Sequence, residues 1–260
     1  MYKKKSLALK IWEIAYPVLM YYAAISIGSF VGQMFFGSGV ESYMLCKMVG
    51  SLVAMYVVYI DYKNDLIFTG QYGVKEVFTK DKWMNLGFVI VITLFLSVAL
   101  NNIISMSPLV QMSEAYQDAS EAFYGTSIWI ELLVSALIAP VLEELVHRGV
   151  VYGRLRRMMG LWPAVLVSAL IFAILHFNIV QFIYAFLLGI VFALFVEKSG
   201  KLYPAIVAHI AANTLAVIRT ETNILVGTVN GSVSAWLISI GCLLIGIGIL
   251  LLYWKREQEK

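Results

Sequence analysis

The chain is short of charge and of cysteine. Of its 260 residues, 13% are Asp, Glu, Lys or Arg and 61% are hydrophobic, whereas a soluble domain carries about 25% charged residues. That scarcity excludes an ordinary soluble globule and points to a protein that sits in lipid. A formal net charge of +3 is too slight to make a nucleic-acid surface, so no nucleic-acid partner is expected. Two cysteines, Cys46 and Cys242, are too few for a disulfide framework. Both stand in apolar stretches and read as small core residues. No A-x-A cleavage site follows the basic opening MYKKKSLALK, and the apolar run 11–36 is longer than the roughly 7–15 residues of a signal core. It reads as a retained first span. Internal repeats, low-complexity tracts and long linkers are missing too, so residues 1–260 are expected to form a single polytopic membrane domain.

What is present is a succession of apolar runs. A helical span needs about 20 mostly apolar residues. Eight segments qualify: 11–36, 43–60, 84–106, 127–150, 160–178, 180–197, 203–222 and 233–254. The expected fold class is therefore all-α, an integral membrane protein of about eight transmembrane helices. The fifth and sixth segments are joined tightly through Phe177 to Gln181, as a helical hairpin or a partly re-entrant pair.

Basic residues alternate from loop to loop. Lys3, Lys4, Lys5 and Lys10 precede the first span; Lys63, Lys75, Lys80 and Lys82 lie in 61–83; Arg154, Arg156 and Arg157 follow the fourth span. Lys198 and Lys201 follow the sixth, and Lys255, Arg256 and Lys260 close the chain. Loop 107–126 has Glu114, Asp118 and Glu121 but no Lys or Arg. The positive-inside rule then puts both termini in the cytoplasm of a cell-membrane protein. Lys47 and Arg219 break the pattern and are expected to snorkel to the interface. Segments 61–83 and 107–126 read as solvated connections, the second with an outer lid as its alternative.

Polar side chains interrupt the apolar runs at few places. Ionisable residues inside a membrane are rare and face a protein interior or a wet cavity. All three histidines, His147, His176 and His209, lie in apolar spans. The stretch APVLEELVHRGV, residues 139–150, concentrates Glu143, Glu144, His147 and Arg148. Glu144 and Arg148 stand four apart on one helix face, acid first, so an ion pair would offset the burial of both. Glu143 points about 100° away, free to face a cavity, where desolvation would suit a carboxylate to proton transfer. His209 and Asn213 share a face of the seventh span and could donate to a developing oxyanion. At 1.5 Å per residue, Glu143, His209 and Asn213 reach comparable depths; His176 needs tilt or a shifted helix boundary to join them. Pro140, one turn before Glu143, lacks the amide of an ordinary helical residue; it could kink the span or be tolerated within it, as prolines in membrane helices are.

Three motifs, Glu143-Glu144-x-x-x-Arg148, Phe172-x-x-x-His176 and His209-x-x-x-Asn213, follow one another on successive apolar spans. Together they resemble the CAAX protease and bacteriocin-processing (CPBP, or Abi) family of intramembrane proteases. The resemblance covers roughly residues 125–222, a core of four helices. It implies peptide-bond hydrolysis on membrane-associated peptide or protein substrates, among membrane lipid. In the family's scheme Glu143 activates water with help from His176, His209 and Asn213 stabilise the oxyanion, and Glu144 and Arg148 support the site. His147 departs from the pattern, since that position is often aromatic in the family; a di-iron arrangement built on Glu144-x-x-His147 would need further carboxylates such as Glu131 or Glu13.

The chain lacks H-E-x-x-H and with it a zincin site. Zinc held by Glu143, His176 and His209, with water at the fourth position, stays open beside a metal-free, glutamate-driven reaction. Peptide maturation and bacteriocin self-immunity would both use such an activity. The competing functions are a non-catalytic membrane immunity or partner protein, whose polar cluster only braces the bundle, and a proton-coupled transporter relaying protons through Glu143 and Glu144.

Overall fold

The computed structural model describes residues 6–37, 39–74, 78–123 and 126–256. Among them there is helix and no strand, as a chain in lipid requires when it does not close into a barrel. The helices are α1 (Leu7–Phe36), α2 (Val40–Phe68), α3 (Lys80–Ser105), two short helices α4 (Leu109–Met112) and α5 (Glu114–Phe123), and a composite α6 over 128–158. They continue with α7 (Leu161–Ile174), α8 (Ile179–Ser199), α9 (Tyr203–Thr222) and α10 (Val233–Lys255).

Local chemistry sets several boundaries. The hydroxyls of Ser6, Thr79 and Ser232 and the amide oxygen of Asn178 accept backbone N–H bonds from Leu9, Lys82, Ala235 and Gln181 at helix starts, replacing bonds that the first turn lacks. Gly200 ends α8 in the left-handed conformation that glycine adopts without a steric penalty.

Among the described residues two larger apolar cores form, beside a smaller cluster of Phe172, Ala173 and Ala185. One joins α1, α2, α6 and α7 around Ala54, Leu142, Val146, Val150 and Val165. The other joins α3, α8, α9 and α10 around Ile92, Phe192, Phe195, Ala208 and Tyr253. Small residues let α1 and α2 approach closely: a Cβ on Gly28 would fall 2.3 Å from the Gly50 Cα. Such contacts replace the hydrophobic drive that helices lack inside lipid. At the basic end Arg154 ties three elements. Its Nε donates to Asp65 at 2.8 Å, its Nη1 donates to the Glu13 carbonyl at 2.9 Å, and its guanidinium lies 5.0 Å from the Tyr16 ring centroid.

Among the described residues five helices, α1, α2, α3, α8 and α10, are long and apolar enough to cross a membrane. The expected count of eight is therefore approximate, for physical reasons. α7 has 14 residues, about 21 Å of rise against a hydrocarbon layer of about 30 Å. α9 spends apolar character on His209, Asn213 and Arg219. α6 is not a uniform α-helix: wide π turns cover Leu132–Ile138 and Leu145–Tyr152, on either side of the α turn Ala139–Glu144. The expected effect of Pro140 is thereby refined. The missing amide falls where a π segment gives way to α, and the junction residues Ile138 and Ala139 keep helical dihedrals. Segments 61–83 and 107–126 are also less loop-like than expected, because α2 runs on to Phe68 and α4 and α5 fill the second.

Candidate active site

The π turns of α6 bracket the six residues that end in Glu143 and Glu144. π segments are rare and recur at functional sites, because the extra residue re-aims side chains. Here they turn both glutamates toward α9. Glu144 is fully buried; its Oε1 accepts from Arg148 Nη1 at 3.0 Å and lies 2.9 Å from His209 Nδ1. Beside an ion-paired carboxylate, that nitrogen is the donor. Arg148, equally buried, also donates from Nη2 to the Gly189 carbonyl of α8 at 3.1 Å. A buried charge is tolerable when paired and hydrogen-bonded in this way.

Glu143 has a different setting. Its side chain is 20% exposed, and its Oε2 lies 3.7 Å from His209 Nε2. His209 therefore stands between the two glutamates, one ring nitrogen toward each. The Glu143 carboxylate is also within electrostatic range of Tyr21 and Tyr22 of α1, Lys47 of α2, and His176.

His176 lies just beyond α7. The helix ends at Ile174, and the imidazole folds back so that Nδ1 meets the Phe172 carbonyl at 3.0 Å. Phe172 is the hub of the group: its ring centroid lies 5.0 Å from those of His147 and His176, 5.7 Å from that of His209, and 4.4 Å from the Arg148 guanidinium carbon. Asn213, one turn beyond His209, donates from Nδ2 to the Ser135 carbonyl in the first π segment at 2.8 Å. One N–H of its amide is committed there and one remains. The structure thus gathers Glu143, Glu144, Arg148 and His209 directly, joins His176 to them through Phe172, and sets Asn213 one turn further along.

His147 is an interior residue. It is buried, with Nδ1 2.8 Å from the Glu143 carbonyl and its ring against those of Phe172 and Tyr21. Among the described residues no three His, Cys, Asp or Glu side chains converge as metal ligands. Glu143 and His209 supply two donors, whereas a catalytic zinc takes three protein ligands. The residues as placed do not fit the zinc set of Glu143, His176 and His209, nor a di-iron set on Glu144 and His147.

Sequence reading missed several neighbours. Lys47 was expected to snorkel; it is half-buried and interacts electrostatically with Glu143 and His176. Gly189, Ser135 and Tyr22 contribute through backbone carbonyls or a hydroxyl, which no local motif announces.

The site is that of a multi-helical membrane protein with a buried Glu–Arg pair, a second glutamate and two histidines. Residues 125–215 match the family model described as "Type II CAAX prenyl endopeptidase Rce1-like". A Bacillus subtilis (strain 168) protein named "Putative membrane peptidase YdiL" is 30% identical over 87 residues, 34% of this chain and 36% of that relative. The match thus spans about a third of the curated relative's length. No solved structure matches the chain significantly. The likeness to membrane peptidases thus falls on the motif-bearing segment.

Proposed function

We propose that the protein is an intramembrane endopeptidase in which Glu143 activates water against a scissile carbonyl. The observation that carries this reading is the ordered set Arg148–Glu144–His209–Glu143. Two adjacent carboxylates have unlike environments: one buried and ion-paired, one partly open. Such a division separates a supporting carboxylate from a reactive one.

In the proposed reaction Glu143 takes a proton from water as the oxygen attacks the carbonyl carbon. The C–N bond then breaks, and the proton passes to the departing amine. Glu144 holds the His209 ring by its Nδ1, as a carboxylate orients the histidine of a catalytic triad. His209 in turn sits against Glu143 and, with the spare N–H of Asn213, faces the developing oxyanion. His176 assists Glu143. Arg148 holds Glu144 in place through their ion pair. The substrate is a peptide or membrane-anchored protein entering from the end that carries Arg154, Arg156 and Arg157, which we place in the cytoplasm together with both termini. Peptide maturation and bacteriocin self-immunity are roles within reach of this chemistry.

The test is proteolysis by the full chain in proteoliposomes. The substrates are a farnesylated CAAX peptide and an unmodified transmembrane peptide, each assayed with the parent and with Glu143→Gln. Cleavage of either peptide by the parent, lost by a factor of about 10² or more in a folded Glu143→Gln protein, is expected for removal of a general base. Equal cleavage by the two proteins would overturn the reading.

A further inference from the structure

Tyr22 lies in α1, well outside residues 125–215. Its hydroxyl donates to the Leu175 carbonyl at 3.0 Å. Leu175 caps α7, and the next residue is His176. Carbonyls in the last turn of a helix lack the amide partner that the continuing helix would supply, and lipid offers none in its place. Tyr22 supplies the donor across 153 positions of sequence.

The turn it holds is an unusual one. Phe177 has a φ of 56°, a left-handed conformation that a side-chain-bearing residue adopts only when its surroundings enforce it. The enforcement is visible. Asn178 Nδ2 donates to the His176 carbonyl at 3.0 Å, so two successive carbonyls of the turn are each held by a side chain. The Phe177 ring meets that of Tyr22 edge-on, with centroids 6.3 Å apart, and Tyr22 packs edge-on against Tyr21 at 4.9 Å. Tyr21 continues to His147 at 6.2 Å. α1 thus grips the segment that carries His176 and touches the interior face of α6.

We propose that Tyr22 is a positioning residue of the candidate active site: its hydroxyl, through the Leu175 carbonyl, fixes the turn that presents His176 to Glu143. The proposal rests on the reading that His176 assists Glu143. It assigns to α1, which carries none of the three motifs, a part in aiming the site. Without the hydroxyl the Leu175 carbonyl loses its donor, the left-handed turn loses one of its two side-chain anchors, and the imidazole loses its fixed bearing.

The experiment uses the full chain in proteoliposomes with the peptide the parent cleaves, comparing the parent, Tyr22→Phe, His176→Ala and Glu143→Gln. Tyr22→Phe keeps both ring contacts and removes one oxygen. Its kcat is expected to fall about tenfold, the scale of one lost hydrogen bond, with KM little changed. Diethyl pyrocarbonate labelling, followed by peptide mass spectrometry, should quicken at His176 and stay unchanged at His147 and His209. An unchanged kcat, or unchanged His176 labelling, overturns the proposal. So does a Tyr22→Phe protein that no longer folds, since the hydroxyl would then be a folding determinant. If His176→Ala and Glu143→Gln keep full activity, the protease reading itself fails. If they are inactive while Tyr22→Phe matches the parent, only the role of Tyr22 fails.

Discussion

His209 holds its Nδ1 2.9 Å from Glu144 Oε1, the same oxygen that takes the Arg148 Nη1 bond at 3.0 Å. One buried carboxylate oxygen therefore joins α6 to α9, and through Arg148 and the Gly189 carbonyl to α8. The support of the site and the packing of the bundle are the same set of bonds. A change that looks purely structural in this group will reach the chemistry, and a change aimed at the chemistry will reach stability.

The Arg148 substitutions follow from this. Arg148→Leu leaves the Glu144 carboxylate buried with one donor fewer, and breaking a buried pair from one side costs about 3–5 kcal/mol. Changing Glu144 as well, to give Glu144→Gln with Arg148→Leu, removes the stranded charge and should restore much of that stability without restoring proteolysis. Thermal unfolding in detergent alongside the cleavage assay separates the two effects. A single variant as stable as the parent would show that the pair contributes little.

The Glu144–Arg148 pair was legible in the sequence because four-residue spacing fixes a helix face. Glu143, the histidines and Asn213 were legible as rare polar groups in apolar runs, and the all-helical membrane fold as a run of such segments. The π turns of α6 were not legible, since an inserted residue shifts side-chain direction without changing composition. Nor was the early end of α7, where Phe177 takes a left-handed conformation that its residue type disfavours. The parts played by Tyr22 and Lys47 depend on contacts across about a hundred positions or more of chain. Periodicity, which reports neighbours within a turn or two, carries nothing at that range.

Metal dependence is the second prediction. Glu143 and His209 bring two donor atoms within 3.7 Å of each other, and among the described residues no third ligand joins them. Zinc sites that lack a third protein ligand bind weakly against chelators. Peptide cleavage in proteoliposomes is therefore expected to persist in EDTA and in 1,10-phenanthroline. Inhibition by phenanthroline that added zinc reverses would mean that His176 swings in to complete a three-ligand set, and would move the site to metal chemistry.

The glycines of α1 and α10 make a controlled pair for the last prediction. Gly28 and Gly50 touch backbone to backbone: the Cβ of an alanine at 28 would fall 2.3 Å from the Gly50 Cα and 2.9 Å from its nitrogen. Backbone cannot yield as a flexible side chain does, so Gly28→Ala must push α1 away from α2, at a cost of about 1–3 kcal/mol or more. The same shift carries Tyr22, six residues earlier and nearly two turns along α1, away from the Leu175 carbonyl. Gly28→Ala should therefore lower cleavage and quicken His176 labelling as Tyr22→Phe does, but with a lower melting temperature. Gly248, in α10, has no atom within 4 Å of its would-be Cβ. There alanine only gains helix propensity, worth up to about 1 kcal/mol, and Gly248→Ala should be at least as stable as the parent with unchanged cleavage. If the two variants behave alike, close α1–α2 packing is not what holds the first helix against the site.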